Sequence, residues 1–194
     1  YKKGVDSRFG FERVAEIYLD ARSQLPTYFK KITRTLDEEL DYLKHYLECK
    51  LPKGIIHGHI TPETARFKGE KVVNVMAFEG ASRGKFIFDL ANAVNFLCIE
   101  EGRYAIQRFE PLVAGYEALR TLSLAEWDAF PNELRFSAFR FAVTRLRDFF
   151  RASNEEERQR INQDFQDFYD RLRILRRERE GGMEPMLMAM ATGY

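Results

Sequence analysis

Cysteine is nearly absent. Cys49 and Cys98 are the only two in 194 residues, and neither lies in a CxxC spacing. That excludes a disulfide framework and a thiolate zinc ribbon, and it fits an intracellular reducing compartment, most simply the cytoplasm, with an organelle or a single Cys49–Cys98 bridge left open. Charge of one sign is also missing. Lys plus Arg number 31 and Asp plus Glu 30, for a net charge of +1. No overall basic field therefore draws the chain to nucleic acid or an anionic membrane. No apolar run reaches membrane-spanning length, and the opening YKKGVDSRFG lacks the pattern of a secretory leader. Because the first residue is Tyr1, the expectation is a processed, trimmed or incomplete N-terminus. Neither GxGxxG nor GxxxxGK[ST] occurs, so no glycine-rich phosphate cradle is written in the chain. Internal repeats and low-complexity linkers are absent too, so residues 1–194 read as one domain.

What is present is a phenylalanine-rich globular chain, with 17 Phe against one Trp. The reading is an α+β fold, mainly α. Residues 1–50 hold N-terminal helices: one over 5–22, closed by Pro26, and a second capped by Thr35 with Glu38 completing a capping box. Pro52 ends it. Residues 51–81 form a β island of short extended runs at Ile55–Ile56, Ala65–Lys68 and Val72–Met76, the last two joined by a turn at Gly69-Glu70. Residues 86–180 read as helical again: a central helix over Phe86–Glu101, another over Ile106–Leu119, and a Ser123/Glu126 capping box. Pro131 then stands as the first residue of a helix to about Phe150. Ser153 or Asn154 caps the last helix, whose stripe Ile161, Phe165, Phe168, Leu172 and Leu175 suits packing onto its own domain. Gly181-Gly182 stops it ahead of a Met-rich tail, 183–194, which reads equally as a docking segment or a terminal helix.

Loops on a rigid scaffold are where chemistry usually sits, so the island is the candidate site. Its His57-x-His59 pair could ligate a metal, but no further His or Cys supplies a third and fourth ligand, and no metal is expected. The arginines from Arg135 to Arg179 interleave with acids along helices. They read as solvated, paired faces rather than a nucleic-acid surface.

The segments LPKGIIHGHITPET, NVMAFEGA, FDLANAVNFL and FSAFRFAVTRLRDFF, taken in this order over about residues 51–151, resemble the catalytic lobe of kinase-fold small-molecule kinases. These are the aminoglycoside phosphotransferases, the choline kinases and most closely the type II homoserine kinases. In that family His-x-Asp-x-x-Pro-x-Asn supplies a proton-accepting aspartate and a magnesium-binding asparagine. A second aspartate before Phe holds the magnesium that bridges the ATP phosphates.

Carried onto this chain, the resemblance places structural residues at His57, Pro62 and Asp89. It puts His59 at the catalytic aspartate position, Thr64 at the asparagine position and Ala77 at the metal aspartate position. His59 is a conceivable base, and Glu63 and Glu79 are nearby carboxylates that form a possible residual polar site. Yet losing each charge-stabilising group in such a site costs about 3 kcal/mol. The leading expectation from these substitutions is a pseudokinase-like, non-catalytic binding or scaffold protein. It would have no cofactor and a protein partner, acting within a larger assembly. The alternative is an ATP- and Mg-dependent kinase of a small-molecule alcohol, with relocated ligands or with its nucleotide-covering lobe outside this chain.

Overall fold

The computed structural model describes residues 9–46, 50–69 and 71–178. The expectations at Cys49, Glu70 and Gly181-Gly182, and those on the Met-rich tail, lie outside the described residues. The architecture is mainly helical with three two-stranded antiparallel sheets, as the α+β reading expects. In chain order the elements are α1 (Phe11–Ser23), α2 (Lys30–Tyr46), β1 (Lys53–Ile56), β2 (Ala65–Lys68), β3 (Lys71–Val75), β4 (Ser82–Lys85), α3 (Phe86–Leu97), β5 (Ile99–Glu100), β6 (Arg103–Tyr104), α4 (Ile106–Glu117), α5 (Leu124–Arg151) and α6 (Glu155–Glu178).

The core is organised around α5, which packs against α1, α2, α3 and α6. Its phenylalanines explain why. Phe130, Phe136, Phe139 and Phe141 are all buried, interleaved with the small Ala138 and Ala142 that let neighbouring helices approach. Each such ring removed from water contributes about 1.5–3 kcal/mol. Phe141 stacks on Phe168 of α6 at 4.8 Å and meets Phe96 of α3 edge-on at 4.8 Å, so one aromatic cluster joins three helices. Tyr18 of α1 packs edge-on against Phe139. The expected stripe on α6 faces inward throughout, since Ile161, Phe165, Phe168, Leu172 and Leu175 are buried.

Charge is buried here as well. Arg135 of α5 forms a forked pair with Glu39 of α2, with Nε 2.8 Å from Oε1, and its guanidinium lies 3.7 Å from the centroid of the Tyr42 ring. The pair survives in the interior because both carboxylate oxygens receive donors and an aromatic face covers the cation.

Several boundaries differ from the sequence reading, each for a local reason. The first helix starts at Phe11, after a non-helical Phe9 and Gly10, and the expectation over residues 5–8 lies outside the described residues. The second begins at Lys30, straight out of the turn Thr27–Phe29 that Pro26 initiates. Thr35 therefore sits inside it and bonds back to the Lys31 carbonyl instead of capping. The central helix stops at Leu97, because Glu101 and Gly102 both adopt positive φ (48° and 75°) and fold Ile99–Tyr104 into a tight hairpin. The Ser123/Glu126 capping box is real, with Ser123 Oγ accepting from the Glu126 amide and Glu126 Oε2 accepting from the Ser123 amide. That box, not Pro131, starts α5, and Pro131 lies within the helix. The last helix is capped by Asn154, whose Oδ1 accepts from the Glu157 amide.

The island has a fourth strand. Ser82–Lys85 pairs antiparallel with β1, Ile56 opposite Ser82 and Lys53 opposite Lys85. This ribbon closes residues 57–81 into an excursion from the helical body, and β2 and β3 form a separate exposed hairpin at its tip.

Candidate functional site

β1 delivers His57-Gly58-His59 at its C-terminal end, and the short ribbon brings the residues that follow β3 beside it. Three interactions lock the two loops together. The Asp89 carboxylate, in the first turn of α3, accepts the amides of His57 and Gly58, each at 2.7 Å. A carboxylate here gains from the helix dipole and turns the chain sharply at Gly58, whose φ of 73° suits glycine. His57 then spans the gap. Its Nδ1 accepts from the His59 amide at 3.2 Å, so Nε2 carries the proton and donates to the Met76 carbonyl at 2.7 Å. Its ring also meets Phe78 edge-on at 4.8 Å. Finally, the Met76 amide donates to the Thr64 carbonyl at 2.8 Å.

Sequence-expected residues thus fall into two groups. His57, Asp89, His59, Thr64 and Ala77 come together around these loops, with Pro62 opening the short turn Pro62–Thr64 between them. Glu63 is exposed on that turn and lies within electrostatic reach of His59. Glu79 is exposed on the turn Phe78–Gly80 and, among the described residues, shares no hydrogen bond or ion pair with His59 or Glu63.

The electrostatics separate the roles. Burial pushes the Asp89 carboxyl up from its ordinary value, against the two amides that favour its charge. His59 is moved the other way. Burial first, then the positive charges of Arg140 and Arg145 on α5, lower its pKa to about 4. The imidazole is therefore neutral at physiological pH, beside the Phe141 ring at 5.6 Å. Sequence reading did not single out Arg140 and Arg145 as neighbours of His59. Their positions within an arginine-rich helix gave no signal, and only the packing of α5 beneath the loop does so. Glu63 is held below the ordinary carboxylate range, chiefly by a hydrogen bond from Thr61.

A protein-held magnesium does not fit the residues present. The Thr64 hydroxyl is buried and fully used, donating to the Thr61 carbonyl at 2.9 Å while accepting from the Thr61 amide at 3.0 Å. The Ala77 side chain has no donor atom. Among the described residues no group of three or more His, Cys, Asp or Glu side chains is placed to hold a metal ion. Ala77 nonetheless keeps an unusual backbone, left-handed at φ 67° and ψ 37°, a conformation that Asp, Asn and Gly adopt far more readily than Ala. Among the described residues no helix is long and apolar enough to cross a membrane.

No protein-family model matches the chain. Individual relatives do. The homoserine kinase of Methylocella silvestris is 36% identical over 120 residues, which is 61% of this chain and 37% of that protein. The homoserine kinase of Sinorhizobium medicae is 35% identical over 111 residues, covering 57% of this chain and 34% of its own length. That of Beijerinckia indica is 32% identical over 133 residues, 68% of this chain and 41% of the relative. The chain thus spans between 34% and 41% of the length of these curated relatives. They correct the expectation of a non-catalytic scaffold: the relatives bear the name of a catalytic kinase, which favours the phosphotransferase alternative over a purely binding role. Over about 60% of its length, this chain is similar to homoserine kinases.

Proposed function

We propose that the chain carries the acceptor side of an ATP- and magnesium-dependent phosphotransferase acting on the hydroxyl of a small molecule, with a hydroxyl amino acid of the homoserine type as the first substrate to test. The observation that supports this reading is the HGH loop. It is locked by Asp89 and His57 within the stretch whose motifs resemble those of homoserine kinases, and it presents His59 where that resemblance places the proton acceptor. ATP and magnesium enter the proposal through the relatives' reaction class.

His59 is a better substitute than its residue type suggests. With a pKa near 4 it has the proton affinity of an ordinary aspartate, about 3.9. What it lacks is the negative charge, not the basicity. In the proposed step the substrate hydroxyl gives its proton to His59 as its oxygen bonds to the terminal phosphorus. The bond from phosphorus to the bridging oxygen breaks, and the nucleoside diphosphate leaves with that electron pair. Arg145 and Arg140 make protonated His59 unfavourable, so the proton passes on to solvent or product. The same positive field suits the charge on a transferring phosphoryl group.

The test uses the purified full chain. Homoserine-dependent release of ADP from MgATP is the expected result, lost on His59→Phe. A melting temperature raised by MgATP accompanies it: ligand at a hundred times its Kd stabilises by about 2.7 kcal/mol, roughly 5–10 °C for a chain of this size. No hydroxyl-dependent ADP release together with melting unchanged by ATP, ADP or magnesium would overturn the proposal.

A further inference from the structure

Along the β1–β4 ribbon opens a cavity of about 510 Å3, walled by ribbon residues from Lys53 to Ile56, the start of α1, Phe88 of α3 and the middle of α5. None of the residues 57–64 or 76–81 lines it. Lys53 stands roughly 13 Å along the strand from His57, at about 3.3 Å per residue. The cationic rim at Lys53 is therefore set apart from the HGH loop, although the cavity wall reaches Ile56 beside His57, and the proposal needs no part of the phosphotransferase reading.

Its charge is unbalanced in a way the strand register explains. Lys53 is paired directly opposite Lys85, with Arg83 on the same short strand as Lys85. Like charges placed opposite each other weaken an antiparallel pair, so such an arrangement calls for an anion. One is built in. Glu133 of α5 is buried with its Oε1 2.7 Å from Lys85 Nζ, and the charge of Lys53 also bears on it. That single carboxylate answers one of the three cations. Among the described residues Lys53 and Arg83 have no ion pair, and Glu12, across the cavity, is the other acid on its wall.

The first turn of α1 adds further donors. Gly10 precedes Phe11 with no side-chain cap, and Gly10 to Glu12 line the cavity, so amides that have no helical partner lie at its edge. Phe88 and Phe136 supply an apolar wall, their rings 5.3 Å apart.

We propose that this cavity binds a small organic phosphate monoester, its dianion on Lys53 and Arg83 and its apolar body against Phe88 and Phe136. A phosphate head fits better than a carboxylate because three terminal oxygens can engage an ammonium, a guanidinium fork and a helix-start amide together, whereas a carboxylate has oxygens for two. The Lys85–Glu133 pair fixes the wall and leaves the other two cations for the ligand.

The experiment is calorimetric titration of the full chain with phenyl phosphate, benzoate and benzyl alcohol at low salt, without nucleotide. The expected result is saturable phenyl phosphate binding at least tenfold tighter than either benzoate or benzyl alcohol. It weakens tenfold or more in the Lys53→Met/Arg83→Met double variant, while the melting temperature of the free protein is unchanged. His59→Asn leaves it unaffected. Absence of saturable binding, equal binding of benzoate, or a loss on His59→Asn matching that of the double variant would each overturn the assignment. A double variant that melts early is replaced by Lys53→Gln alone, for which a threefold or greater weakening supports the site and none overturns it.

Discussion

Acidification should weaken this protein through His59 in a defined window. In the folded chain His59 has its pKa lowered from 6.5 to about 4, first by burial and then by Arg140 and Arg145. Above pH 6.5 the ring is neutral in both folded and unfolded states and costs nothing. As pH falls through 6.5 the unfolded chain takes up a proton that the folded chain refuses, so stability drops. Below about pH 4 both states are protonated and the loss levels off. At 1.36 kcal/mol per pH unit the full effect is about 3 kcal/mol. The ring is only half-buried, and solvent screening brings the expected value nearer 2 kcal/mol. Urea denaturation of the wild type and His59→Gln at pH 7.5, 5.5 and 4 measures it. The difference in stability between the two proteins should move by about 2 kcal/mol in the glutamine's favour across that range. A difference that stays constant with pH would mean that His59 is solvated in the folded state, and the neutral-base argument would fall with it.

Other substitutions test the frame around the site. Asp89→Ala strands the His57 and Gly58 amides and should cost about 2–3 kcal/mol, read as a fall of roughly 4–12 °C in melting temperature; Asp89→Asn, keeping one acceptor, should cost about half. Ala77→Asn relieves a left-handed alanine and should stabilise the protein by about 0.5–1 kcal/mol in denaturant titration, and a destabilised variant would show that the loop geometry is wrong. Arg135→Met leaves the Glu39 charge buried and should cost about 3 kcal/mol, the low end for a broken interior pair, because Arg176 Nε stands 3.8 Å away. Adding Glu39→Leu should recover most of that loss, which a double-mutant cycle would register.

The helices and the order of the loops were legible because periodicity and capping chemistry act locally. Ser123 and Glu126 announce α5, and the stripe on α6 marks its buried face. Pro131 misled because a proline suits a first helical turn, while the packing of Phe130, Leu134 and Phe136 holds it inside a continuous helix. β4 escaped notice because Ser-Arg-Gly-Lys has no alternating apolar pattern. Its strand character comes entirely from pairing with β1, a partner 25 or more residues back. At the site, the motif order placed His57, His59 and Asp89, but nothing in the chain showed that the Thr64 hydroxyl closes on Thr61. Nor did it show that Arg140 and Arg145 reach His59. Those are consequences of how α5 lies beneath the loop, a long-range fact no local pattern encodes.

The narrow ribbon that closes residues 57–81 also sets how this region should open. The two strands of the β2–β3 hairpin are exposed, with Phe67, Val72 and Val73 open to solvent, and its ties are the neck strands, the His57–Met76 bond and the Met76–Thr64 amide bond. Few buried contacts hold it, so its amides should exchange with deuterium as one block, at a free energy well below that of α5. The protection map of the chain would then have two tiers. A slow helical body would carry a fast, cooperative flap, and the boundary between them would fall beyond the Asp89-held amides of His57 and Gly58, where β2 and β3 begin.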